Sequence, residues 1–249
     1  MARQKLGQHF LVSARILERI ATAACPDGTK HVIEIGPGQG ALTEHLLAHA
    51  EHVTGIEMDH ELAAHLRERW PDDPRFELVT GNALNYDWTQ WGAGVLAGNL
   101  PYYVATAIIS KYLADPGALA QAVFLIQKEV AERITAKPGT REFGYLSVEC
   151  QYLAKTEYLF TVPPGAFRPP PKVDSAVIRL TPQAGPKSKA FLEFASACFR
   201  QKRKTLRNNL AERYSKERLD SQPAVLRRAE QLSVAELLEL WQILTEPRA

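Results

Sequence analysis

The four residues Asn99-Leu100-Pro101-Tyr102, just past the apolar segment Gly94 to Gly98, set an amide, a fixed turn and an aromatic face side by side. Such a group suits a planar amine held for attack. The exocyclic amine of an adenine is a poor nucleophile, because its lone pair is delocalised into the ring, and hydrogen-bond acceptors draw that pair out. The side-chain oxygen of Asn99 and the backbone carbonyl of Leu100 can each take one amine proton, and Tyr102 can stack on the base. Pro101 has a fixed φ and pushes Leu100 towards an extended conformation, which aims the carbonyl outward. Taken alone, an Asn-x-Pro-Tyr stretch also reads as an ordinary loop turn, since Asn and Pro are common turn residues.

The elements that must hold this group recur along the first half of the chain. His31-Val32-Ile33-Glu34-Ile35 predicts a strand, Gly36-Pro37-Gly38-Gln39-Gly40 a turn, and Ala41 to Ala50 a helix with apolar spacing at Leu42, Leu46 and Leu47. A second strand, His52 to Ile56, ends at Glu57 before a helix over Glu61 to Trp70. A third, Phe76 to Thr80, ends at Gly81-Asn82-Ala83-Leu84, and a fourth spans Val95 to Gly98. Alternation of this kind predicts a mostly parallel α/β sheet with its working loops at the C-terminal strand ends. A fifth strand is expected at Ala122 to Ile126, a helix at Gly144 to Tyr152, extended chain at Lys155 to Val162 and a further strand at Val173 to Leu180. The prolines of Pro163 to Lys172 predict a rigid loop without regular structure. Thr181 to Pro186 reads as a linker, dividing the chain into a catalytic domain over 1–185 and a small helical domain over 186–249.

The glycine turn lets a ligand approach backbone and helix N-terminus. Its Gly-x-Gly-x-Gly spacing lacks the third glycine position of dinucleotide binders, which favours a ligand without pyrophosphate and disfavours a nicotinamide dehydrogenase. Glu57, closing the second strand, is placed to accept both hydroxyls of a ribose. Asn82, closing the third, can offer its amide to an adenine edge or form a turn.

Composition sets wider bounds. The 249 residues suit one large domain or one plus an appendage. Three dispersed cysteines, Cys25, Cys150 and Cys198, suggest neither a disulfide framework nor a zinc cluster, and no metal-ligand spacing is present. The basic start leads into no apolar core of signal length, and no stretch is apolar enough to span a bilayer, so a cytoplasmic protein without a membrane partner is expected. From Lys187 onward there are 13 Lys and Arg against 8 Asp and Glu, leaving 17 against 20 before it. The positive excess is therefore C-terminal, where it forms a candidate footprint for a phosphate backbone.

The order of elements resembles the S-adenosylmethionine-dependent methyltransferases, a Rossmann-like fold with helices on both sheet faces. Five motifs narrow the likeness to the ribosomal RNA adenine N6-dimethyltransferases. They are Arg3 to Leu11, Glu34 to Thr43, Gln127 to Ala131, Phe167 to Ser175, and Phe199 to Leu210. The small-subunit branch, acting on two adjacent adenosines near the 3′ end of 16S rRNA, is the nearest resemblance. It implies S-adenosylmethionine as methyl donor, with S-adenosylhomocysteine as product and no metal. It places Gln8, His9 and Leu11 over the cofactor, Glu34, Gly36 and Gly38 near its methionine end, Glu57 with Met58 on the ribose side, and Asn82 with Ala83 by the adenine. Asn99 belongs to both the cofactor and the catalytic set. Phe167, held in the proline-rich loop, is the candidate for the second flat face opposite Tyr102, or else packs under that loop. Where the family usually has Asp, this chain has Asn82: the amide oxygen still accepts, but the charge is gone.

Methyl transfer from a sulfonium needs an aligned amine more than a strong base, so positioning is expected to carry the catalysis. The target base must leave its stack to reach such a pocket. Phe199, Leu206 and Leu210 are expected on one face of a helix, with Arg200, Lys202, Arg203, Lys204 and Arg207 turned to RNA phosphates and Lys128, Arg133 and Lys172 extending the track. A monomer is expected. Two other readings stay open: a ribosome-assembly binding factor in which methylation is secondary, and a large-subunit adenine methyltransferase that confers macrolide resistance.

Overall fold

The computed structural model describes residues 9–26, 28–185 and 187–246. The first half runs β1 (Phe10–Leu11), α1 (Ala14–Ala24), β2 (His31–Ile35), α2 (Ala41–His49), β3 (His52–Glu57), α3 (His60–Arg69), β4 (Phe76–Thr80), β5 (Gly94–Asn99) and α4 (Ala105–Ala114). The second runs β6 (Leu119–Gln127), α5 (Lys128–Ile134), α6 (Tyr145–Leu153), β7 (Ala154–Val162), β8 (Phe167–Arg168), β9 (Ser175–Pro182), α7 (Lys189–Cys198), α8 (Leu206–Leu210), α9 (Lys216–Asp220) and α10 (Val234–Thr245).

Seven strands form one sheet in the order β4-β3-β2-β5-β6-β9-β7. Neighbours from β4 to β6 are parallel, and β9 runs antiparallel to β6. Sequence order reverses between β2 and β5, and at such a switch the loops leaving the C-terminal strand ends diverge and open a crevice. The central strands are largely apolar because both faces are covered, with Glu34 and Thr54 as buried polar exceptions. Val32 packs with Leu17, Ile20, Leu42 and Leu46 of α1 and α2. Ile33, turned the other way by the two-residue period, is equally buried. A Cβ at Gly98 would stand 2.6 Å from the carbonyl oxygen of Ile35, so β5 lies closer to β2 than a side chain there would allow.

The chain forms two compact units, and they differ from the expected division at 185. The first comprises residues up to Ala131 with Thr156–Pro182, the second Glu132–Lys155 with the chain from Gln183 onward. The physical reason is a shared core: Phe143 and Val148 pack with Phe191, Phe194, Leu206, Leu210 and Leu237. Gln151 ties the segment further by donating to the carbonyls of Ile134 and Ala136. The expected linker is also shorter, because β9 runs through Pro182.

Two further expectations are corrected. The proline-rich loop is not wholly irregular, since Phe167 and Arg168 form β8 and pair antiparallel with Leu11 and Phe10. Nor is 199–210 one helix. The helix α7 stops at Cys198 and α8 begins at Leu206, bracketed by buried Asn209. Its amide nitrogen donates to the Cys198 carbonyl at 2.7 Å, and its oxygen accepts from the Gln201 N–H at 3.2 Å.

Candidate functional site

A cavity of about 830 Å³, counting its open mouth, lies in the first unit where β2 and β5 end. Its walls come from His9 to Leu11, Glu34, the Gly36 to Gln39 turn, Glu57, the Asn99 to Tyr102 turn and Phe167. Gln8 lies outside the described residues. Met58, Asn82 and Ala83 are not among the wall residues.

The glycine turn is built for close approach. Gly36, Gly38 and Gly40 have φ of 68°, 61° and 81°, in the left-handed region where side chains are strained. A Cβ on Gly38 would meet the Phe10 ring at 3.2 Å, and one on Gly40, the N-cap of α2, would meet Trp70 at 2.6 Å. Glu57 braces the turn from β3: its Oε2 accepts from the Gly38 N–H and its Oε1 from the Asp59 N–H, each at 2.9 Å. A carboxylate has about four lone-pair sites, so both oxygens keep capacity for a diol. Although it closes a strand, Glu57 is only 6% exposed.

Glu34 is buried more deeply, at the base of the cavity. Burial pushes its carboxyl up to about 8; the Thr43 hydroxyl, donating to Oε2 at 2.6 Å, pulls it down, and the charge of Glu57 pushes it up. At neutral pH the group is therefore held mostly neutral. Asn82, by contrast, is exposed and caps a one-turn helix at Ala83–Asn85, its Oδ1 accepting from the Leu84 N–H at 3.0 Å. The turn-forming alternative is the one realised, and the amide nitrogen is the end left over.

At the other side of the cavity the four-residue group is arranged by distant parts of the chain. Asn99 donates from Nδ2 to the His9 carbonyl at 3.1 Å. That bond assigns the amide's orientation and leaves Oδ1 as an acceptor. The Leu100 N–H is tied to the Leu125 carbonyl at 3.0 Å, while no described group donates to the Leu100 carbonyl. Tyr102 is half-buried, with its hydroxyl 2.9 Å from Ser175 Oγ. Phe167, 1% exposed, belongs both to the wall and to the core beside Leu11, Leu17 and Ala166. Truncating such a phenylalanine costs about 3–5 kcal/mol, so only a bulky replacement can separate stacking from packing.

Residue spacing did not point to the strap that makes this possible. Pairing of β1 with β8 brings Phe10 over Gly38 and Leu11 against Phe167, and His9 Nδ1 donates to the Pro169 carbonyl at 2.8 Å. Thr43 and Ser175 were also missed as partners of Glu34 and Tyr102; the only sequence signal was their place in the Glu34 to Thr43 and Phe167 to Ser175 motifs.

Of the five basic residues expected to face RNA, Arg200 pairs with Glu212 at 2.9 Å and Arg207 with Asp220 at 2.5 Å. Lys202 donates to the Arg141 carbonyl at 2.7 Å. Arg203 and Lys204 are exposed, and neither side chain has a partner among the described residues. Lys128 faces Asp174 at 3.6 Å. Among the described residues, no group of three or more His, Cys, Asp or Glu could hold a metal ion, and no helix is long and apolar enough to cross a membrane.

A Rossmann-like sheet with a glycine turn, strand-end carboxylates and an acceptor-bearing Asn-Leu-Pro-Tyr turn at its switch point defines an S-adenosylmethionine-dependent methyltransferase. The family model described as ribosomal RNA adenine dimethylase matches residues 1–246, and the chain belongs to that family. A ribosomal RNA small subunit methyltransferase A from Pseudomonas putida is 42% identical over 84% of this chain and 82% of its own. Its namesake from Acidobacterium capsulatum is 40% identical over 98% and 92%. Among solved structures, a dimethyladenosine transferase from Plasmodium falciparum superposes with a TM-score of 0.82 at 26% identity, covering 93% of this chain and 96% of that one. The 23S rRNA methyltransferase ErmE superposes at 0.75 with 29% identity, covering 95% and 100%. Fold, enzyme class and an rRNA adenine substrate thus agree with the sequence-based expectation.

The raised carboxyl of Glu34 has a consequence for stability. An unfolded glutamate titrates near 4.5, so the native state holds a proton that the unfolded chain has released, and the stability present below that pH is lost as pH rises through about 8. Glu34→Gln keeps an acceptor for Thr43 and removes the titration. Its thermal unfolding midpoint is expected to fall less than that of the wild type between pH 5 and 9. Parallel curves for the two proteins would refute the assignment.

Proposed function

We propose that this protein transfers methyl groups from S-adenosylmethionine to the N6 amines of two adjacent adenosines near the 3′ end of 16S rRNA, in the small ribosomal subunit. The product would be N6,N6-dimethyladenosine, with S-adenosylhomocysteine released and no metal involved. The observation that carries this reading is the Asn99 amide, pinned through Nδ2 to the His9 carbonyl with Oδ1 left to accept, beside a Leu100 carbonyl to which no described residue donates.

The donor set fits the cofactor: glycines without Cβ at the turn, Glu57 with lone pairs for a ribose, and Glu34 as a latent counter-charge for the methionine end. Met58 would lie on the ribose side and Asn82 and Ala83 towards the adenine, with His9 and Leu11 covering the site. When bound, the cofactor supplies an electrophilic methyl carbon. Asn99 Oδ1 and the Leu100 carbonyl each accept an amine proton, which localises the nitrogen lone pair. Tyr102 and Phe167 take the two faces of the flipped base. Methylation acidifies the amine, and its proton leaves through an acceptor or water, so no strong base is needed.

Of the five cations expected to face RNA, Arg203 and Lys204 are the two whose side chains have no partner among the described residues, and we assign them to phosphate contact. We take the working form to be a monomer in the cytoplasm, where its substrate is assembled. Similarity to small-subunit relatives at about 40% identity favours that subunit over the large one.

The reading is tested by incubating the protein with labelled S-adenosylmethionine and undermethylated subunits of both kinds. Dimethyladenosine in 16S rRNA is the expected product; label confined to 23S rRNA, or monomethyl product alone, would contradict it. Asn99→Ala is expected to lose methylation while keeping subunit binding, and a variant that keeps full methylation would sink the role of the amide. Reversing Arg203 and Lys204 to Glu should weaken subunit binding and lower its salt slope by about 2, with cofactor affinity unchanged. Equal loss of both would mean misfolding.

A further inference from the structure

The hydroxyl of Tyr102 does not hang free at the cavity wall; it lies 2.9 Å from Oγ of Ser175. Ser175 is fully buried, begins β9, and stands opposite Gln127 of β6 in the antiparallel pair. It is not among the cavity wall residues, so any effect on a base must pass through Tyr102. We propose that Ser175 is a positioning residue for methyl transfer, holding the Tyr102 ring as the platform on which the target adenine stacks; this rests on the proposed function of the site.

The geometry gives the bond a defined job. A phenol oxygen lies on the axis about which the ring spins, so the bond to Ser175 sets where the ring points and leaves its spin to packing. The His9 ring, 6.0 Å away and tilted by 32°, stands beside it. The anchor itself is rigid. Ser175 sits in the ladder between β6 and β9, and the preceding Asp174 is held by Lys128, whose N–H donates to the Asp174 carbonyl at 3.0 Å and whose ammonium lies 3.6 Å from the carboxylate. Acceptor and platform are therefore aimed by different elements. Asn99 is set from the β1 strap and Tyr102 from β9, and the sheet order β5-β6-β9 spaces the two. Losing the bond lets the phenol turn towards water and takes the platform away from the amine acceptors, while the cofactor turn on the far side stays as it is.

The test uses the full-length chain and three variants: Ser175→Ala, Tyr102→Phe and the double. Maximal methylation rate and KM on undermethylated small subunits, S-adenosylhomocysteine affinity, and the thermal unfolding midpoint are measured for each. Ser175→Ala is expected to lose about fivefold in maximal rate, the equivalent of one neutral hydrogen bond, with cofactor affinity within about twofold of wild type. Tyr102→Phe breaks the same bond from the half-buried side and should lose a similar factor. In the double variant no hydroxyl is left unpaired, so the unfolding midpoint recovers while the rate stays at the level of the single variants. Recovery of the rate together with the midpoint would overturn the proposal, because a purely structural bond behaves that way; so would an unchanged rate in Ser175→Ala. A wild-type protein that methylates no adenosine overturns the proposed function and this inference together, which separates that failure from the other two.

Discussion

The hydrogen bond from Asn99 Nδ2 to the carbonyl oxygen of His9 sets which end of the Asn99 amide is left for the cavity. The two ends of an amide are nearly alike in shape, and only a partner decides which one faces the cavity. A neutral bond contributes about 1 kcal/mol net, roughly a fivefold bias. The flipped amide would also set oxygen against oxygen, which widens the preference. His9 can accept there because the strap carrying it is anchored twice, through its own ring to the Pro169 carbonyl and through the pairing of β1 with β8. The proline-rich loop and the segment His9 to Leu11 thus hold each other, and together they hold Asn99, Phe10 over Gly38, and Phe167.

Across the cavity the burden is electrostatic. Two carboxyl groups, Glu34 and Glu57, are buried close enough for one to raise the other, and the structure treats them differently. Glu57 takes two backbone N–H donors and uses them to brace the glycine turn. Glu34 has the hydroxyl of Thr43 and is otherwise left to burial, which keeps it protonated near neutrality. A cationic ligand at the methionine end would reverse that balance, because a positive charge within reach favours the carboxylate.

Much of this was legible in the residues. The strands β2, β3 and β4, the glycine turn and Glu57 follow from local pattern, since period, turn chemistry and strand-end position are all encoded within a few residues. What stayed hidden was long-range. His9 and Asn99 are 90 positions apart, and Tyr102 and Ser175 are 73 apart, so no spacing rule links them. Local rules also overreached. Prolines around Phe167 and Arg168 concealed a two-residue strand whose partner, Phe10 and Leu11, is distant in sequence. The apolar spacing of Phe199, Leu206 and Leu210 suggested one helix where a buried Asn209 brackets a turn. Ion pairing, invisible to a charge count, joins Arg200 to Glu212 and Arg207 to Asp220.

The central claim is that methyl transfer depends on how Asn99 is oriented, beyond its having an acceptor. Asn99→Asp tests this most directly, since a carboxylate accepts better than an amide but cannot donate to the His9 carbonyl. Single-turnover methylation of undermethylated small subunits at pH 8, with cofactor affinity measured alongside, is the measurement. A fall in rate of tenfold or more, with affinity for the cofactor retained, is the predicted result; a rate equal to or above that of the wild type would contradict it.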